Sequence, residues 1–237
     1  MALIMHAARG NTDVYKTLIA AEYVGVEVKM NENFRPGMSN KSPEFLKMNP
    51  TGTFPVLETP DGPVFEGNAI ARYVARGSPL FGSSLIEYGQ IEQWIEFSSS
   101  TLDANFRRLL KPRIGYGPQI ESAEEVYIYN VKRGLVALNK HLASHSFLVG
   151  DSMTLADIIT TCNLLLGFWL LLPKSFTCEY PNVERYFWKM IDQPNFSKIT
   201  GEVKQVDASI PYALANKPRV AEAPMPRALK HPHLRMC

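Results

Sequence analysis

The stretch that decides the fold is residues 53–70, Thr53-Phe54-Pro55-Val56-Leu57-Glu58-Thr59-Pro60-Asp61-Gly62-Pro63-Val64-Phe65-Glu66-Gly67-Asn68-Ala69-Ile70. Two short apolar runs, 53–58 and 63–66, flank Thr59-Pro60-Asp61-Gly62, a turn sequence that joins antiparallel strands. A helix is expected over 68–75, stopping at Gly77. A proline at the start of a strand cannot complete a ladder, so Pro55 is an edge device or a cis bend that turns the Phe54 amide and carbonyl toward an extended partner. Glu66-Gly67 falls where a strand meets a helix N-terminus, where backbone N–H groups hold carboxylates.

The preceding residues supply the rest of a small lobe. Residues 2–6 are an apolar opening. Residues 14–24 carry Val14, Leu18, Ala20 and Ala21 at helical spacing before Gly25, and 26–30 alternate as a half-buried strand. Ser42 and Pro43 read as the N-cap and first position of a one-turn helix. The order is βαβ, a short helix, then ββα, across residues 1–80.

After residue 85 the period changes to 3.6. One long helix is expected over 85–110, with Ile91, Trp94, Ile95, Leu102, Phe106 and Leu109 along a stripe, and a second over 124–142. Val183, Tyr186, Phe187, Met190 and Ile191 mark another after Pro181. Within this all-α lobe, residues 85–205, the most specific local signal is Ser152-Met153-Thr154-Leu155-Ala156-Asp157-Ile158. It is a structural capping box, with Thr154 as N-cap, Asp157 accepting from the Thr154 amide, and Met153 and Ile158 as the staple.

At 237 residues, with 46% hydrophobic and 20% charged residues, the chain has the composition of an ordinary globular protein, and not of a disordered or collagenous one. The net charge of +2 is uneven: residues 208–237 hold five basic residues against Glu222 alone, leaving residues 1–207 slightly acidic. That body argues against nucleic acid as a direct partner. The tail, residues 206–237, reads as a proline-rich basic linker. Cys162, Cys178 and Cys237 are too few and too dispersed for a disulfide framework or a zinc site, and His231-Pro232-His233 reads as tail composition, so no metal is expected. No leader pattern opens the chain, and the longest apolar run, residues 164–172, is short of a membrane span. A soluble cytoplasmic protein without membrane contact is expected. No Ser/His/Asp order, HExxH, P-loop or GxGxxG is present.

These features together resemble the cytosolic glutathione transferase family over about residues 1–205: a thioredoxin-like βαβ–ββα lobe with an X-Pro-Val strand and a Glu-(Ser/Gly) turn, then an all-helical lobe with the Ser-x-Thr-x-x-Asp box. More closely, residues 16–23, 43–50, 69–74 and 183–188 are similar to the transferase-like N-terminal domain of the elongation factor 1-gamma family, particularly the plant type. In that family a further C-terminal domain follows a linker, and here the chain stops in the linker. The resemblance implies a scaffold subunit of the elongation factor 1 complex that binds the guanine-nucleotide exchange subunit, and implies a homodimer. The alternative is an active transferase conjugating glutathione to hydrophobic electrophiles.

No cofactor is implied beyond glutathione as a ligand or substrate. By the resemblance its glycyl carboxylate falls near Asn40 and Lys41, its cysteinyl backbone against Thr53, Phe54 and a cis Pro55, and its γ-glutamyl end at Glu66 and Gly67. Related transferases often have His at the position of Asn40 and usually Ser at that of Gly67, so reduced affinity is expected. The residue that stabilises the thiolate in Ser-using classes aligns near Asn11. Asn11 and its neighbour Thr12 are therefore the catalytic candidates, although helix capping accounts for both, and Tyr15 reads as a packing residue.

Overall fold

A computed structural model describes residues 3–209; the tail beyond Ser209, with Cys237 and His231-Pro232-His233, lies outside the described residues. The first lobe runs β1 (Leu3–His6), α1 (Thr12–Val24), β2 (Val28–Met30), a 3-10 turn (Ser39–Lys41), α2 (Pro43–Met48), β3 (Val56–Thr59), β4 (Gly62–Phe65) and α3 (Gly67–Ala75). The sheet order is β2-β1-β3-β4. The β1–β2 pair is parallel, with Ile4 opposite Lys29, and the other two pairs are antiparallel, with Met5 opposite Leu57 and Leu57 opposite Val64. One face of the sheet buries Met5 and Leu57 with Val14 of α1 and Ile70 and Val74 of α3. The other face buries Val56 with Phe34 and with Phe45 of α2.

Local chemistry fixes the boundaries. The Asn11 side chain accepts from the Asp13 N–H at 2.8 Å to start α1, and Gly25, left-handed at φ 68°, ends it. Ser42 caps α2 as expected, with Pro43 next to it. The strand expected over 53–58 begins only at Val56: the Phe54–Pro55 bond is cis, and Pro55 has no N–H to give a ladder.

The second lobe comprises α4 (Leu85–Phe97), a π-helical segment (Ser98–Asp103), α5 (Ala104–Arg113), α6 (Glu121–His141), α7 (Leu155–Leu170), α8 (Lys174–Thr177), α9 (Pro181–Ile191) and α10 (Pro194–Thr200). The single regular helix expected over 85–110 is thus interrupted. Three serines account for the wider turn: Ser98 and Ser99 donate to the Ile95 carbonyl and Ser100 to that of Glu96, taking acceptors the ladder would use. Asn163 of α7 and Asn68 of α3 then donate to the Ser98 and Ser99 hydroxyls, at 3.0 and 2.8 Å, and tie the segment to both neighbours.

α7 is the central helix: 13 of its 16 residues are buried, so it is enclosed on nearly all sides where a surface helix is covered on one. Phe168 stacks on Phe187 of α9 with centroids 3.9 Å apart, and Gly167 lets Phe106 approach. Ile19 and Ala20 of α1 and Ala71 and Ala75 of α3 join the same buried cluster, which makes the junction between lobes a continuous core. Residues 205–209 return along this helix. The Val206 N–H donates to the Phe168 carbonyl at 2.9 Å, Gln205 Nε2 to that of Leu172 at 2.8 Å, and the Ser209 hydroxyl to that of Leu171.

The capping box forms, and Asp157 does more than close it. Oδ2 accepts from the Thr154 N–H at 3.0 Å and its hydroxyl at 2.8 Å, while Oδ1 accepts from the Leu148 N–H and the Tyr186 hydroxyl, both at 2.9 Å. The carboxyl is fully buried; burial raises its pKa, and the four donors oppose that rise.

Two substitutions test this core. Asp157→Ala leaves four buried donors without an acceptor, and chemical denaturation is expected to register a loss on the order of 3 kcal/mol or more. Gly167→Ala places a methyl 2.8 Å from Phe106 Cζ. Overpacking of this kind costs about 1–3 kcal/mol, so a lowered denaturation midpoint is expected despite alanine's better helix propensity.

Candidate functional site

A cleft of about 660 Å³ runs between the lobes. From the first lobe it is lined by Thr53, Phe54, Pro55, Glu66 and Gly67, five of the positions singled out in the sequence. β4 delivers Glu66 at φ 71°, the non-glycine residue with positive φ among those described, directly before α3. The other sequence candidates stand elsewhere. Asn40 holds its own loop, accepting from the Gly37 N–H and donating to the Gly52 carbonyl, both at 2.7 Å. Lys41 is exposed and outside the cleft lining. The Asn11 side-chain oxygen is engaged in capping α1, Thr12 is buried, and neither lines the cleft. Tyr15 packs edge-on against Trp169, as its reading as a packing residue anticipates.

The cleft also holds charges that the motif reading passed over. Asp13 and Lys16, in the first turns of α1, face Asp103 and Arg107 from the helical lobe. Lys16 Nζ donates to Asp13 Oδ1 at 2.7 Å; Arg107 reaches Asp13 Oδ2 at 2.9 Å and Asp103 Oδ2 at 2.7 Å. Lys16 is 2% exposed, an ammonium buried on one carboxylate. Burial pushes the Asp13 carboxyl up, but the nearby charges of Lys16 and then Arg107 outweigh it and leave Asp13 below its ordinary pKa; burial likewise pushes the Arg107 guanidinium down, and Asp13 and Asp103 together leave it above its own. The sequence carried one cue: a lysine at position 16 lies on the buried side of α1, among Thr12, Ile19 and Ala20, where only a paired charge is tolerated.

Asp13 also explains Gly67. A Cβ at position 67 would stand 2.7 Å from the Asp13 Cβ, so the site has room for glycine alone. A hydroxyl-bearing residue at this position has no place in the cleft. Cys162 of α7 is not a reactive alternative, because burial pushes its thiol up to about 12. Among the described residues no cluster of three or more His, Cys, Asp or Glu side chains is placed to hold a metal, and no helix is long and apolar enough to cross a membrane.

With this geometry established, comparison with known proteins defines the class. The glutathione S-transferase N-terminal domain matches residues 1–76 and the C-terminal domain matches residues 114–194. A glutathione transferase from Phanerochaete chrysosporium, solved in complex with oxidized glutathione, superposes with a TM-score of 0.74 at 26% identity, covering 83% of this chain and 94% of that one. The GST-like domain of elongation factor 1-gamma from Saccharomyces cerevisiae gives a TM-score of 0.74 at 16% identity, covering 90% and 99%. The chain therefore belongs to the glutathione S-transferase family in fold, with both of its domains.

Within that class it is a homologue of the plant elongation factors 1-gamma. It is 57% identical to elongation factor 1-gamma 2 of Oryza sativa subsp. japonica over 233 residues, 97% of this chain and 54% of the relative. The chain spans about half the length of the curated relatives it matches.

The charge cluster has a pH signature. Because the folded-state pKa of Asp13 is lowered, its stabilisation is complete above the unfolded value of 3.8 and disappears as pH falls through the folded value. Denaturation of the native chain and of Asp13→Asn is expected to show a stability gap at neutral pH that closes below about pH 3.8; a gap unchanged to pH 2 would remove the ionic account.

Proposed function

We propose that this chain acts as the transferase-like portion of an elongation factor 1-gamma, a cytoplasmic scaffold in the elongation factor 1 complex that holds the guanine-nucleotide exchange subunit through protein surface. The observation that carries the reading is the 57% identity along 97% of the chain to a plant elongation factor 1-gamma. Two further features support it. Of the thiolate-donor candidates, Asn11 is occupied in capping α1 and Thr12 is buried with its hydroxyl facing Arg107, and neither lines the cleft. Apolar side chains also stand in water where a partner would cover them: Leu85, Ile86 and Tyr88 in the first turn of α4, and Val126, Tyr129 and Val136 along one stripe of α6. A homodimer using such surfaces belongs to the same reading.

The second reading, an active transferase, is favoured by the Thr53, Phe54, cis Pro55 and Glu66 lining of the cleft. It requires glutathione in that cleft. The extended backbone beside Pro55 suits the middle of such a peptide, but the Gly67 end does not suit a γ-glutamyl carboxylate, because Asp13 already fills it with a carboxylate.

The purified chain is expected to retain the exchange subunit in a pull-down equally with and without glutathione, and to sediment at twice its monomer mass. Failure to retain the subunit would sink the scaffold reading. Conjugation of an aryl halide is expected at background rate; a clear rate that collapses on substituting Asn11 and Thr12 by Ala would establish the transferase reading in its place.

A further inference from the structure

Three of the four cations that line the cleft are already paired within the chain; the fourth, Lys111, stands exposed on α5. Lys16 is bound to Asp13, Arg107 to Asp13 and Asp103, and Arg72 to Glu92 through two bonds of 2.6 and 3.0 Å. The buried polar atoms of the lining that lack partners are acceptors, Asn68 Oδ1 and Asp103 Oδ1. A carboxylate entering this end of the cleft meets filled donors and open acceptors. A site built for an anion has the opposite pattern.

We propose that Asp13 is an internal anion, occupying the Gly67 end of the cleft in place of a ligand carboxylate and clamping the two lobes together through Arg107. It is the residue that decides whether the cleft accepts an anionic ligand. The two structural facts behind it are independent: the 2.7 Å approach of the Asp13 Cβ to the position a Gly67 Cβ would take, and the bridging of its two carboxylate oxygens to cations from different lobes. Because Lys16 is buried, its attraction to Asp13 is screened little by salt, while removing the charges from water carries a desolvation cost. Any carboxylate that binds here must first displace one that is covalently part of the chain. The proposal concerns only the cleft and stands apart from the scaffold reading, so retention of the exchange subunit does not bear on it.

The test is calorimetric titration of reduced glutathione into the native chain, Asp13→Asn and Arg107→Gln. Asp13→Asn keeps the side-chain shape and releases Lys16 and Arg107. It is expected to bind glutathione at least tenfold more tightly than the native chain, while Arg107→Gln, which loosens the clamp and removes a cation, is expected to gain nothing. Equal affinity in the native chain and Asp13→Asn, or tighter binding by the native chain, would overturn the proposal. So would an equal gain in both variants, which would make the effect one of loosening and not of charge. Should Asp13→Asn not fold, as judged by its thermal melt, Asp13→Ala replaces it with the same expectations.

Discussion

The helical lobe depends on one buried carboxylate. A fully buried Asp157 is costly in isolation, and it is tolerated because four donors from three parts of the chain converge on its two oxygens. Thr154 comes from the same turn, Leu148 from the preceding loop, and Tyr186 from α9. The one residue thereby sets the start of α7, the path of the chain into it and the docking of α9. Since α7 is buried on nearly every side and packs against α1, this carboxylate also fixes the wall on which the first lobe rests.

The cleft is governed by a second, ionic arrangement, in which Lys16 is buried and Asp13 and Arg107 are half-buried. At Asp157 a carboxylate is held by neutral donors within one lobe; at Asp13 it is held by cations from both. The difference follows from position. Inside the helical lobe backbone and hydroxyl donors are at hand, whereas at the junction the nearest donors are the long side chains of Lys16 and Arg107. The π-helical segment contributes here as well, because Asp103, which orients Arg107, is its last residue and Ser99, bonded to Asn68, lies within it.

Much of this was legible in the sequence, and for definite reasons. The capping box needed only the spacing of Thr154 and Asp157. The hairpin needed Thr59-Pro60-Asp61-Gly62, and the lobe change needed the shift from period 2 to period 3.6. The π-helical segment was not legible, because the apolar stripe from Ile91 to Leu109 continues through it, and three consecutive serines are as compatible with a solvated helix face as with a wide turn. The site divided the same way. Thr53, Phe54, Pro55, Glu66 and Gly67 belong to one contiguous motif and meet at the cleft. Asp13 and Arg107 are 94 positions apart, and no local pattern links them. Nor does a glycine at position 67 announce in sequence that a side chain from another helix lies against it.

The return of residues 205–209 along α7 sets a geometric origin. Helix C-termini leave carbonyls without partners, and here those of Phe168, Leu171 and Leu172 are met by Val206, Ser209 and Gln205. The polypeptide is therefore pinned to the folded unit as far as Ser209, beside the junction of α7 and α8. Any sequence joined after that residue is tethered from a fixed point on the surface and not from a swinging arm. The local concentration it experiences around the domain is then set by its own length and stiffness, measured from that anchor.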